Sequence, residues 1–265
     1  MTDETDQPRF GAAEVIQIAS KLTVDDATFV IGGQATNLWA WYYRDKDPAL
    51  RQDQPLTSRD LDYFGSVKAA ESLAAALGGK VIKATLDDMN TPHSAVVLAT
   101  VNGKPLKIDF LNGVLGVTRR ELERGVAVIE ATAEVDGKEC RAQIPVLHPV
   151  LCLKSRIANM LHPMLGRRDS FAWAQLHAAI AIVRVYIVDA LEEGDWKEAK
   201  SCLSDVFEYL RSDRFGKAAK NELGVDVLDI LRHFQDDQRI DERYRKQSLV
   251  QMIEQIEDWQ RKHSL

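Results

Sequence analysis

Apolar and polar positions follow two regimes along this chain. Up to about residue 146, short apolar runs are broken by glycines, prolines and polar loops; from Val150 onward almost every apolar position repeats with the 3.6-residue period of a helix. In the first regime, Val15, Ile16, Ala19 and Leu22 predict a helix over 12–22. A short buried strand over 27–31 stops at Gly32-Gly33, and 34–43 reads as a helix followed by a polar loop over 44–57 with two prolines. A strand over 59–64 and a helix over 67–77, ended by Gly78-Gly79, come next.

Residues 81–84 and 95–101 are strand-like. Asn102-Gly103 marks a hairpin, because a type I′ turn needs positive φ at both central residues. The returning strand over 104–111 alternates, with Leu106, Ile108 and Phe110 on one face and Lys107 and Asp109 on the other. A second hairpin is expected around Asp136-Gly137, between 126–133 and 138–144. Helices are predicted over 149–161, 169–191, 196–210, 225–234 and 242–262. The fold class is therefore α+β, divided near residue 146 into an α/β domain (1–146) and a helical domain (147–265).

With 265 residues the chain is long enough for one large core or two small ones. A net charge of −6 excludes a global basic field for gathering nucleic acid, so such a contact would be a local patch. Cys140, Cys152 and Cys202 have no metal-type spacing and read as reduced thiols. The acidic N-terminus lacks the pattern of a signal peptide, and the most apolar stretch, 177–191, is interrupted by Arg184 and short for a bilayer. A cytoplasmic protein without membrane contact is the expectation.

Chemistry concentrates at Ser58-Arg59-Asp60-Leu61-Asp62. On a strand Ser58, Asp60 and Asp62 share a face, and Leu61 and Phe64 are assigned to a core. Two carboxylates on one face suit a divalent cation, and Gly32-Gly33 opening a helix suits a phosphate. Asp109, on a later strand, can join them, since adjacent strands lie about 4.8 Å apart.

The order of these features resembles the polymerase-β-like nucleotidyltransferase superfamily. Ile31-Gly32-Gly33-Gln34-Ala35-Thr36-Asn37-Leu38 with Ser58-Arg59-Asp60-Leu61-Asp62-Tyr63-Phe64 is similar to the AbiEii/AbiGii toxin group, over about the first 170 residues. The resemblance implies a mixed sheet with flanking helices, an NTP substrate and Mg²⁺ or Mn²⁺ held by Asp60, Asp62 and Asp109. It implies nucleotide contacts from Gly32, Gly33, Gln34, Ser58, Lys154 and Asp169, with Asp60, Asp62, Asp109 and Lys154 catalytic. Gln34 departs from the small hydroxyl residue usual there, and Gly166 stands where a lysine often precedes the Arg168-Asp169 pair.

Lys154 falls within the apolar stripe of Val150, Leu151, Ile157, Ala158 and Leu161. Either its stem snorkels past the edge of the core or its ammonium reaches the triphosphate; the resemblance favours the second. Asp169 reads as a helix N-cap that can also border the site. Trp39, Trp41, Tyr42 and Tyr43 read as core before base-stacking, and Arg119, Arg120 and Arg124 as a solvated helix face. His93, His148, His162 and His177 share no metal spacing.

The implied function is transfer of a nucleoside monophosphate to an acceptor hydroxyl. The setting is a toxin with a cognate antitoxin, in phage defence, acting on tRNA or a protein. Two alternatives remain: transfer to a small molecule, as in aminoglycoside-modifying enzymes, and a catalytically silent nucleotide-binding module.

Overall fold

The computed structural model describes residues 12–21, 28–51, 61–84, 93–135, 138–164 and 166–263. The first half contains α1 (Ala12–Ala19), β1 (Phe29–Val30), α2 (Gly32–Tyr42), β2 (Leu61–Phe64), α3 (Val67–Ala76) and β3 (Lys80–Lys83). It continues through β4 (His93–Val101), β5 (Lys104–Leu111), a short α4 (Arg119–Leu122), β6 (Val126–Val135) and β7 (Lys138–Leu147). The elements after it are helical: α5 (Pro149–Leu161), α6 (Ser170–Glu192), α7 (Trp196–Ser212), α8 (Arg214–Leu223), α9 (Asp229–His233) and α10 (Val250–His263), the last entered through a π-helical turn at Tyr244–Leu249. The fold is a mixed α/β arrangement consistent with α+β.

One seven-stranded sheet runs in the order β3-β4-β5-β2-β1-β7-β6. The two long hairpins, β4–β5 and β6–β7, are antiparallel and form its flanks. Asn102 and Gly103 take φ of 51° and 74° at the first hairpin, as a type I′ turn demands. Between the hairpins sit two short strands: β2 runs parallel to β5, and β1 pairs antiparallel with β2 and parallel with β7. The chain leaves β2, crosses over α3 and returns through β3 and β4, so β5 arrives beside β2 with the same direction.

α2 is enclosed on most sides. It opens on Gly32 itself, two residues before the predicted start, and the seven residues Gln34 to Ala40 are all buried. Such a helix keeps little solvent face, here packing against β2, α1, α5 and α6. Its far end is pinned to both halves. Trp39 Nε1 donates to the Leu147 carbonyl at 2.9 Å, and Tyr43 donates its hydroxyl to Asp189 at 3.1 Å. Trp39 and Tyr43 are core, as expected, whereas Tyr42 is exposed.

Two apolar clusters result. The first lies between the sheet and α1, α2 and α3; the second is made by α5 to α10. α5 and α6 contribute to both, with Leu151, Cys152, Ile182 and Val185 in the first and Leu153, Ile157, Leu176 and Val183 in the second. α6 spans 23 residues and is by length and composition apolar enough to cross a membrane. Its apolar positions are divided between these clusters, which explains an apolar helix with little amphipathic contrast.

Three expectations are corrected. Leu61 and Tyr63 are the core residues of β2, at 0% and 1% exposure, while Phe64 shares the face of Asp62, where it is partly buried against the core and meets Phe29 with tilted rings, centroids 4.9 Å apart. α8, with its buried Phe215, Ala219 and Leu223, was not predicted. The expected helix over 225–234 contracts to α9.

Candidate active site

The β2–β5 register sets the site. Leu61 pairs with Ile108, Asp62 with Asp109 and Tyr63 with Phe110. In parallel strands registered residues project to the same face, so the Asp62 and Asp109 side chains emerge side by side. Their neighbours Leu61, Ile108, Tyr63 and Phe110 fill the opposite face. Asp109 is 6% exposed; Lys107 Nζ lies 2.8 Å from its Oδ2, and His93 Nε2 lies 3.5 Å from its Oδ1. That Oδ1 is closed to solvent and accepts no hydrogen bond among the described residues. Ser58 and Asp60 lie outside the described residues.

The α2 N-terminus faces Asp62. Ile31 N–H donates to the Asp62 carbonyl at 2.9 Å, which ties the helix start to β2. Gly32 has φ of 68°, and a Cβ there would lie 2.3 Å from Asp62 Oδ2. At Gly33 a Cβ would lie 2.8 Å from Gln175 Nε2. Gly32 is thus required by its left-handed backbone, and a Cβ at either glycine would have to displace the end of a side chain, Asp62 or Gln175. Ile31 at the N-cap has no side chain to cap with, leaving the first amides of the helix and its dipole for an anion.

A residue not singled out from the sequence completes the cluster. Arg156, on α5, donates through Nη1 to Gln175 Oε1 at 2.8 Å; Gln175 in turn donates to the Gly33 carbonyl at 3.3 Å and to Asn37 Oδ1 at 3.1 Å. Burial pulls the Arg156 guanidinium below its ordinary value, and the nearby Cys152 and Asp62 oppose that pull. An arginine stays charged regardless. Its Nε is closed to solvent without a hydrogen-bond partner among the described residues, and so is Gln34 Nε2 on the buried first turn of α2. The signal was available: Cys152 and Arg156 are four residues apart and share one helix face.

Lys154 does not join them. It lies two residues from both Cys152 and Arg156, about 200° around the helix, on the far side. Its ammonium pairs with Glu121 and sits 5.3 Å over the Tyr209 ring. Burial pushes the Glu121 carboxyl up, but hydrogen bonds from Lys154 and Thr118 outweigh it and hold the group below its ordinary value. Asp169 is the N-cap of α6, its Oδ1 accepting from Ala172 N–H at 2.8 Å.

On the Lys154 side opens a cavity of about 980 Å³, walled by Trp39, Tyr43, Tyr186, Glu121, Asp205 and Tyr209 among others. Gly32, Gly33, Asp62, Asp109 and Arg156 do not line it. A scan of protein-family models, a search of curated proteins and a search of solved structures each return no match to this chain.

Proposed function

We propose that the protein is a metal-dependent nucleotidyltransferase with a polymerase-β-like catalytic half, of the AbiEii toxin-like kind, moving a nucleoside monophosphate from an NTP to an acceptor hydroxyl. The observation that carries this reading is the registered pair Asp62 and Asp109 held against the glycine-opened N-terminus of α2. The acceptor class proposed is tRNA or protein, in a toxin–antitoxin setting, and the resemblance of the two motifs supports it.

The donor set fits a hard divalent cation: carboxylate oxygens only, one of them buried without a hydrogen-bond donor. Asp62 and Asp109, with Asp60, would hold Mg²⁺ or Mn²⁺, which when bound neutralises phosphate charge and lowers the pKa of a coordinated hydroxyl. The chain's own groups do the rest. The free amides at the α2 N-terminus bind phosphate oxygens, and Arg156 opposes their charge from the α5 side. Gln175 holds both the Gly33 carbonyl and the Arg156 fork, so it fixes one relative to the other. Asp109 would both complete that site and help take the acceptor hydroxyl's proton. Lys107 and His93 steady its charge.

One observation favours a second reading. Lys107 already neutralises Asp109, as expected of a nucleotide-binding module without turnover. Incubation with each α-labelled NTP, Mg²⁺ or Mn²⁺, total RNA and lysate separates the two. Label should pass to RNA or protein with the wild type and vanish with Asp62→Ala and Asp109→Asn. Nucleotide binding without label transfer under every NTP would leave only the silent module.

A further inference from the structure

Beside the 980 Å³ cavity, three side chains from two distant parts of the sequence converge on one point. His148 is the N-cap of α5, and Glu198 and Cys202 lie one turn apart on α7. His148 Nε2 is 3.0 Å from Glu198 Oε1 and 3.9 Å from Cys202 Sγ, and Sγ is 3.6 Å from the same Oε1. We propose that His148, Glu198 and Cys202 form a binding site for a zinc-type divalent ion, separate from the carboxylate pair of the nucleotide site.

The distances support this. A tetrahedral zinc with bonds of about 2.3 Å to sulfur and about 2.0–2.1 Å to nitrogen and oxygen separates its ligand atoms by about 3.3 Å for N···O and about 3.5–3.6 Å for the pairs with sulfur. The observed triangle matches each side within a few tenths of an ångström. Donor type agrees as well: imidazole, thiolate and carboxylate together suit zinc, whereas Mg²⁺ prefers oxygen alone.

The arrangement is not a nucleophile relay. A cysteine–histidine–acid relay uses the two ring nitrogens separately, one toward the thiol and one toward the acid. Here Cys202 and Glu198 both meet Nε2, while Nδ1 accepts from Val150 N–H at 3.3 Å. Three donor atoms aimed at a single point describe a coordination centre.

Supporting contacts are in place. Tyr186 donates its hydroxyl to Glu198 Oε1 at 3.1 Å and sets its ring edge-on to His148, the centroids 5.0 Å apart. Both His148 and Glu198 line the cavity, whereas Cys202 is buried. A fourth position therefore faces the cavity, as in sites that keep one place for water or a ligand. Loading moves the single His148 ring proton from Nε2 to Nδ1 at the expense of the Val150 contact, and the Cys202 thiol releases its proton to solvent.

The test is Co²⁺ and Zn²⁺ titration of the metal-stripped full chain, with circular dichroism on every variant. Co²⁺ should give a thiolate-to-cobalt charge-transfer band that saturates at one equivalent per chain and that zinc abolishes. Cys202→Ser and Glu198→Gln should remove or weaken it, and Tyr186→Phe should lower affinity by about tenfold. Cys152→Ala and Asp62→Ala should leave the band and the Co²⁺ equivalent at which it saturates intact, which keeps this site apart from the nucleotide site. Absence of a band in the folded wild type, or a band that survives in folded Cys202→Ser, would overturn the proposal.

Discussion

Gly32 and Asp62 touch where α2 meets β2: a Cβ on the glycine would lie 2.3 Å from the carboxylate Oδ2, on a backbone whose φ is 68°. The residue type at 32 and the aim of the Asp62 carboxylate are therefore one feature. Gly32→Ala should destabilise the fold by at least about 1 kcal/mol from the left-handed backbone alone, about 2–4 °C in Tm for each kcal/mol. Asp62→Ala removes the clash but not the backbone strain. The double variant should thus be less destabilised than the sum of the singles in thermal melts. Additive losses would show that the two side chains do not meet.

Arg156 should govern nucleotide affinity. Losing a charge-assisted hydrogen bond to phosphate costs about 1.5–3 kcal/mol, so Arg156→Gln should raise the nucleotide Kd about 10- to 100-fold by calorimetry. Arg156→Lys keeps the charge but loses the fork that engages Gln175, so it should fall between.

Lys154 should behave differently. Because its ammonium is committed to Glu121 and Tyr209 on the far face of α5, Lys154→Met should leave the KM for NTP within about twofold. It should lower Tm, because Glu121 loses its partner at a half-buried position. A large rise in KM with unchanged Tm would return Lys154 to the phosphate.

The helical half carries its own pH dependence. Asp226 meets Lys220 at 2.7 Å and Arg232 at 3.3 Å, and Arg232 reaches Glu257 at 2.7 Å, joining α8, α9 and α10. Burial pushes the Asp226 carboxyl up, but hydrogen bonds from Lys220 and Gln260 and the neighbouring charges hold it below its ordinary 3.8. A depressed folded-state value means stability present above 3.8 and lost as pH falls through the folded value. Tm of the wild type should therefore drop toward low pH, and Asp226→Asn should lower Tm at neutral pH and flatten that acid limb.

Period-2 and period-3.6 patterns announced most elements, since those periods are imposed by the backbone itself. The hairpin at Asn102-Gly103 was legible because a positive φ at both positions leaves few choices of residue. Side-chain parity on β2 was misread at Phe64, and the pairing of β2 with β5 could not be known from either strand alone. Lys154 was visible as a cation in an apolar stripe; Arg156, two residues on, was the one facing Asp62. Helical spacing shows that the two oppose each other but not which side meets the sheet. His148 and Cys202 were read separately and Glu198 was passed over, because 50 and 54 positions divide the histidine from the other two.

The sequence by itself determined most of where the chain would be strand or helix, that Gly32-Gly33 would open a helix, and that Asp62 and Asp109 would each stand on a strand. Those outcomes are local, set by backbone sterics and the burial of alternate residues. Only the tertiary structure decided that Asp62 and Asp109 stand in register and that Arg156 rather than Lys154 lies near Asp62. It alone brought the α5 N-cap histidine to the face of α7. Strand pairing and helix rotation are chosen by the packing of the whole core, a sum over distant contacts that no single segment encodes.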